Sequence, residues 1–512
     1  MKKLSKITLR VFCATLAAMC CVFFSSCGKS YGPVYENNAM INGDGYYPMY
    51  EAVASMSPSF EEEGGDTFTE IVENPFVSVS EQASSYFSID ANTASYPVLR
   101  RTITQGGTIY KDSVRVEEML NYFNYDYATP EDGSVLALTS SLFDTPYNSE
   151  TKLLTIGLAA KEVEFTETKN NLVFLIDVSG SMNSYDKLPL VQSAFTLLAE
   201  NLNPDDRISI VTYAGEDSVA LEGAYGYEKQ RIVGAIEDLF ASGSTAGSKG
   251  IGTAYSIAQK YFIEGGNNRV ILATDGDFNV GLTDNGDLEK FISDKRKSGV
   301  YFSVFGVGQG NLKADRMETL ALKGNGTYSY IDSVKEAKRA LVTEIGGSMV
   351  TVAKDVKAGI TFNPDYVESY RLIGYENKLL TEEEFEDEST DAGELGSGHT
   401  VTVVYEVKLT DKVLEADENI AQVAVKYKSP ESDEDGELLL DIKTSAYRTE
   451  LTETDAFVSS VVEFALILRE SEYMKDANID SLIARLDSIN LGEDEFKQEF
   501  RDLVKLYREK RI

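Results

Sequence analysis

Between residues 170 and 347, four short and mainly apolar runs (172–176, 208–213, 270–273 and 301–306) are separated by stretches of helical periodicity, among them 187–201 and 251–262. Apolar runs without strict alternation suit strands buried on both faces. With helices between them, such strands run parallel, because a parallel crossover needs a dozen or more residues and usually takes them as a helix. This pattern commits the middle of the chain to a Rossmann-like α/β domain with a central, mainly parallel sheet. It also says where a ligand would sit, outside the carboxyl ends of the strands.

The flanks read differently. In 67–169, Tyr86-Phe87-Ser88-Ile89 is strand-like and a helix begins near Asn92-Thr93. Val114, Val116, Met119, Leu120 and Phe123 recur at helical spacing, and alternating runs follow at 135–142 and 153–158. In 348–512, strands are expected at 400–409, 420–427 and 438–442, with the acidic stretch 429–436 as a hairpin turn. The run Glu382-Glu383-Glu384-Phe385-Glu386-Asp387-Glu388 reads as a solvated loop. From 452 onward the pattern is helical, with stripes at Phe457, Val461, Phe464 and Leu466, then at Leu482, Leu486 and Ile489. The N-terminal flank is thus α+β and the C-terminal flank β-rich, then helical. Strands on both sides of the middle region predict that the flanks pack together, with the middle domain as an insertion.

Three elements fall at predicted strand ends or helix starts. Asp177-Val178-Ser179-Gly180-Ser181 follows the first strand, Ser242-Gly243-Ser244-Thr245-Ala246-Gly247 precedes the helix from Ile251, and Thr274-Asp275-Gly276-Asp277 ends a later strand. Ser179 and Ser181 are spaced so that both hydroxyls turn toward one point. Together the elements resemble the metal-ion-dependent adhesion site of von Willebrand factor A (VWA) domains, which joins Asp-x-Ser-x-Ser to a distant threonine and a later aspartate. The resemblance implies Asp177, Ser179, Ser181, Thr245 and Asp275 as metal ligands, the serines and threonine direct, the aspartates direct or through water. Five oxygen side chains with no nitrogen or sulfur suit a hard cation, Mg²⁺ first, with Mn²⁺ and Ca²⁺ as alternatives. Two carboxylates balance a divalent ion and leave it an appetite for an anionic ligand, here an Asp or Glu of a protein partner. Asp277 stands close enough in sequence to serve in a second shell. The alternative is that these residues serve only as caps and turns.

Other motifs fail on spacing. Asp275-x-Asp277-x-Asn279 starts like an EF-hand, but Val280 and Gly286 occupy the positions that need Gly and Glu. Ser248 stands where a phosphate loop needs Gly before Lys249. Gly306-Val307-Gly308-Gln309-Gly310 reads as a strand-end turn rather than a dinucleotide fingerprint. His399, the one histidine of the chain, reads as a surface or half-buried structural residue. With one histidine, a zincin or facial-triad site is excluded, and no Gly-x-Ser-x-Gly elbow marks a serine hydrolase. A formal charge of −35 argues against nucleic-acid binding and against general affinity for anionic lipid.

All 4 cysteines lie within the first 27 residues, beside Lys2, Lys3, Lys6 and Arg10 and an apolar run from Val11 to Phe24. That run is too short to span a bilayer and reads as a signal peptide. Phe24-Ser25-Ser26-Cys27-Gly28 resembles a bacterial lipobox, although Phe24 stands where leucine is more usual. The resemblance implies removal of 1–26, lipidation of Cys27 and a membrane contact through that lipid only. Ordinary signal cleavage is the other reading. Residues 27–66, rich in Gly, Ser, Asn, Tyr and Glu, read as a flexible tether.

The flanks carry a closer resemblance. Glu73-Asn74-Pro75-Phe76-Val77, Phe87-Ser88-Ile89-Asp90-Ala91-Asn92-Thr93-Ala94-Ser95-Tyr96, the segment from Val114 to Phe123, Tyr370-Arg371-Leu372-Ile373-Gly374-Tyr375-Glu376-Asn377, and Asp391-Ala392-Gly393-Glu394 are similar to YfbK-like bacterial proteins. The resemblance covers about 67–508 and implies five segments: 1–26 signal peptide, 27–66 tether, 67–169 N-terminal region, 170–347 VWA domain and 348–512 C-terminal region. The expectation is a lipid-anchored, extracytoplasmic envelope protein, not an enzyme, that binds a protein partner through a divalent cation. An envelope scaffold with a structural metal is one rival. A metal-assisted hydrolase with Asp277 as its base is the other.

Overall fold

The computed structural model describes residues 65–131, 133–163, 168–214, 216–243, 248–276, 285–343, 350–412, 417–430, 432 and 434–510. The signal peptide, Cys27, most of the tether, Thr245 and Asp277 lie outside the described residues. The N-terminal flank contains β1 (Val77–Ser78), β2 (Ser84–Ser88), α1 (Ser95–Gln105), α2 (Val116–Asn121), β3 (Leu136–Asp144) and β4 (Lys152–Ala160). The middle region runs β5 (Asn170–Asp177), α3 (Leu188–Glu200), β6 (Arg207–Ala214), β7 (Glu216–Tyr225), α4 (Lys229–Glu237), α5 (Ser248–Lys260) and β8 (Asn267–Thr274). It continues through α6 (Asn285–Arg296), β9 (Tyr301–Val307), α7 (Ala314–Lys323), β10 (Tyr328–Ile331) and α8 (Val334–Lys338). After it come β11 (Thr351–Phe362), β12 (Val367–Ile373), β13 (Leu379–Leu380), α9 (Glu382–Glu386), β14 (Gly393–Gly396), β15 (Thr400–Leu409), β16 (Asn419–Lys428), β17 (Asp435–Lys443) and β18 (Tyr447–Arg448). Helices α10 (Glu453–Arg469), α11 (Ile479–Ser488) and α12 (Glu495–Lys510) close the chain.

The middle sheet has the order β10-β9-β8-β5-β6-β7, parallel except for β7, an antiparallel edge strand. Its central strand β5 is buried at every position. Leu172, Phe174 and Ile176 face α3 and α8 in one core, whereas Val173 and Leu175 face α5 and α7 in another. This double burial is why the run at 172–176 does not alternate.

The flanks share their sheets. One has the order β1-β12-β15-β4-β3-β18, the other β13-β2-β11-β16-β17, and each mixes strands from both ends of the chain. Alternation along each strand then does two jobs. In β4 and β15, Leu154, Ile156, Val403 and Tyr405 enter the core between the two sheets, while Leu153 and Val404 enter a second core under α2, α10, α11 and α12. The flanks therefore form one helix-backed β-sandwich, as the strands on either side of the insertion predict.

The insertion leaves and returns at one point. Ser397, after β14, accepts from the Val163 N–H with its hydroxyl (2.6 Å) and donates its own N–H to the Val350 carbonyl (2.8 Å). Two buried ionic clusters hold the inserted domain against the sandwich. Arg100 of α1 pairs with Asp332 (2.6 Å) and Glu336 (2.8 Å) of the middle domain and with Glu499 of α12 (2.7 Å), and Tyr122 donates to Glu336 (2.6 Å). Burial of the fully enclosed Glu336 opposes ionisation, but Arg339 and Arg100 outweigh it and lower its pKa.

Two sequence readings change. Residues 382–386 form a helix rather than a loop, because Thr381 and Glu384 make a capping box and Phe385 buries against the sandwich. The first helix starts at Ser95, not near Asn92, since Asn92 instead accepts from the Tyr328 N–H. His399 is half-buried, as expected, and burial, aided by Arg339, pushes its pKa down to about 4.

Candidate metal centre

β5 ends at Asp177, which the parallel register places beside Tyr213 at the end of β6. The Asp177 carboxylate is completely buried. It accepts from the Ser179 N–H at one oxygen (2.8 Å), and from the Tyr213 hydroxyl (3.2 Å) and the Thr274 hydroxyl (3.3 Å) at the other. Burial raises its pKa to about 6; the bonds from Ser179 oppose that rise and nearby Asp275 adds to it. The turn after Asp177 brings the Ser179 and Ser181 hydroxyls within 3.0 Å of each other, with Ser179 buried and Ser181 exposed. The turn formed by these groups thus runs from a buried carboxylate to a solvent-facing hydroxyl.

Asp275 follows the end of β8 and is 1% exposed. Its Oδ2 accepts from Lys187 Nζ at 2.9 Å, in a pair with side chains 10% and 0% exposed. The lysine stem lies against Gly308, where a Cβ would come within 2.5 Å of its methylenes. Gly276, at φ +108°, lets the third loop meet the 311–313 segment, where a Cβ would sit 2.2 Å from the Asn311 carbonyl oxygen. That segment in turn holds the start of the described chain: Thr67 N–H donates to the Leu312 carbonyl (2.8 Å), and Asp66 accepts from the Leu312 N–H (3.0 Å).

The structure therefore brings together Asp177, Ser179, Ser181 and Asp275. The second loop approaches the first through Gly180 N–H to Gly243 carbonyl (3.1 Å) and Ser242 N–H to Val178 carbonyl (2.7 Å); Thr245 and Asp277 lie outside the described residues. An all-oxygen set with two carboxylates and two hydroxyls fits a hard divalent cation. Sequence reasoning missed Tyr213, Thr274 and Lys187. The first two sit at strand ends flanking β5, the rule that found Asp177, and that rule extended to neighbouring strands points to them.

A second group, Asp90, Glu118 and Glu318, has carboxylate oxygens within 4.8 Å of one another. Cations of the protein already occupy it. Lys378 pairs with Glu318 (2.7 Å) and Asp90 (3.4 Å), and Arg115 with Glu318 (3.5 Å) and Glu118 (3.7 Å). It is an ionic junction between the inserted domain and both flanks, not a second metal centre.

A doubly covered parallel sheet carrying Asp-x-Ser-x-Ser at its central strand end is the architecture of a VWA domain, and the family model described as von Willebrand factor type A domain matches residues 171–343. A model described as von Willebrand factor matches 62–155, and one described as Uncharacterized protein YfbK, C-terminal, matches 347–509. Over 469 residues the chain is 38% identical to Uncharacterized protein YfbK of Escherichia coli (strain K12), covering 86% of this chain and 81% of that protein. The chain belongs to the YfbK family. Among solved structures it is similar to von Willebrand factor type A from Catenulispora acidiphila (15% identity, 75% of this chain, 91% of that chain, TM-score 0.40). It is also similar to the conserved hypothetical protein BatB from Bacteroides thetaiotaomicron (19% identity, 34% of this chain, 97% of that chain, TM-score 0.29).

Proposed function

We propose that this chain is a lipid-anchored envelope protein whose VWA domain binds a protein partner through a divalent cation held by Asp177, Ser179, Ser181, Thr245 and Asp275. Mg²⁺ is the favoured ion, and Asp277 a second-shell group. The observation that carries the reading is the Asp177–Ser179–Ser181 turn, with its buried carboxylate and adjacent hydroxyls opening at Ser181. The ion would supply positive charge to a partner carboxylate; the chain's own residues position it and leave one side open. Cys27 carries the lipid and sets the location outside the cytoplasm, on whichever membrane face holds it. A binding role rather than catalysis is favoured because the one histidine, its pKa pushed down to about 4, is a weak base near neutral pH.

The test is crosslinked capture from native envelopes by the exported chain, comparing Mg²⁺, chelator, and the Ser181→Ala and Asp177→Ala variants. Capture that needs both Mg²⁺ and the exposed Ser181 hydroxyl is the expected result. Equal capture in every condition would move the binding surface to the sandwich and make any metal structural.

A further inference from the structure

The cation site accounts for affinity toward a carboxylate, but not for selection among the many carboxylates an envelope offers. Two large side chains beside it address that. Tyr185 and Phe240 are 80% and 73% exposed, higher than any other aromatic side chain among the described residues. Tyr185 lies on the first loop, between Ser181 and Lys187, whose ammonium reaches Asp275. Phe240 lies two residues before Ser242, whose N–H is bonded to the carbonyl of Val178, itself next to Asp177. Extended chain spans at most about 3.6 Å per residue, so both aromatics start within about 15 Å of the Asp177 turn. Single exposed apolar residues are ordinary, but these two stand on the two loops that hydrogen-bond to each other beside Asp177.

We infer that Tyr185 and Phe240 form an apolar rim to the cation site, and that the partner it takes is a protein segment whose Asp or Glu is flanked by a large apolar side chain. This rests on the cation-dependent reading above. Charge argues the same way. The chain's formal charge of −35 repels a merely acidic peptide, so only the ion and apolar contact can offset that repulsion. Aromatic anchors beside a desolvated charge are the usual energetic centre of an interface, and truncating one typically weakens binding about 30-fold or more. The rim thus sets specificity while the ion supplies the charge.

The test is affinity selection of a random displayed peptide library on the exported chain in Mg²⁺ and in chelator. Wild type is compared with Tyr185→Ser/Phe240→Ser, after checking that both melt at the same temperature. The expected result is Mg²⁺-dependent enrichment of peptides with Asp or Glu within two residues of Phe, Tyr, Trp, Leu or Ile. The double variant should still enrich acidic peptides with Mg²⁺ but lose the apolar neighbour, and bind wild-type-selected peptides at least about 30-fold more weakly. Acidic enrichment with no apolar neighbour in wild type, or identical enrichment by both proteins, overturns the rim and leaves cation-dependent binding standing. Absence of any Mg²⁺-dependent enrichment overturns the cation reading and the rim with it.

Discussion

Lys187→Met separates a cation-binding Asp275 from one that is only structural. The Lys187 ammonium sits 2.9 Å from an Asp275 oxygen, and both side chains are nearly enclosed. At that separation and an effective dielectric of about 20, the gross attraction is about 6 kcal/mol. Much of it offsets desolvation, and removing one partner of a buried pair typically costs about 3–5 kcal/mol. Lys187 retains some solvent contact, which favours the lower end. For a domain of this size that corresponds to a fall of about 6–12 °C in Tm. Scanning calorimetry in chelator should show that deficit in the transition of the VWA domain. Saturating Mg²⁺ displaces the ammonium from Asp275 in the wild type and so removes what the variant lacks, and the deficit should shrink toward zero when the ion takes over. A deficit of the same size with and without Mg²⁺ would refute the reasoning, since Lys187 would then be a strut beside an aspartate that no ion reaches.

Other outcomes follow from the same geometry. The Asp177 carboxyl has a folded pKa of about 6 against an ordinary 3.8, so between those values the folded chain holds more protons than the unfolded one. Metal-free stability should therefore fall as pH rises from about 4 to about 6, by up to about 3 kcal/mol, and level off above. The same proton competes with a cation, so Mn²⁺ affinity by titration calorimetry should drop as pH is lowered through about 6; a flat profile there would exclude Asp177 from the site. Glu336→Gln leaves Arg100 and Arg339 facing a neutral amide in an enclosed cluster and should cost about 3 kcal/mol in denaturant unfolding; a change under about 0.5 kcal/mol would mean the cluster contributes little. Replacing residues 164–349 by a linker of about four residues, long enough for ends that both touch Ser397, should leave a sandwich that still melts cooperatively. Loss of any cooperative transition would show that the flanks do not fold without the insertion.

How much of this is legible in the sequence depends on how each element is buried. β5, β6, β8 and β9 lie deep in their sheet and announce themselves as apolar runs. β7 does not, because as an edge strand it keeps polar residues on its open side. β11 is hidden for another reason: the ladder to β16 shifts register between Lys354 and Lys357, where Asp355 takes φ 51°, so alternation along its 12 residues is broken by an irregular turn. The aspartate and serines of the candidate site are legible because their spacing is local. Lys187 is not, since a lysine before an apolar helix reads as surface charge. Its burial depends on Gly308 and Asp275, which only the folded sheet brings near. In the glutamate run at 382–388 the acidic side chains are exposed, as their charge suggests; only the backbone reading misleads, because Thr381 three residues before Glu384 is a local helix signal.

The clasp at Ser397 bears on the order in which the chain folds. The sandwich must join β2 to β11 and β4 to β15 across the whole inserted domain. Were the intervening chain unfolded, closing a loop of that length would cost about 4–5 kcal/mol before any strand pairing repaid it. A VWA domain that has already folded, with its ends emerging side by side, shortens that search to the few residues around Val163 and Val350. The insertion then acts on the rest of the protein as a cross-link made of folded structure. Destabilising the VWA sheet should slow assembly of the sandwich even where no side chain of the sandwich is touched.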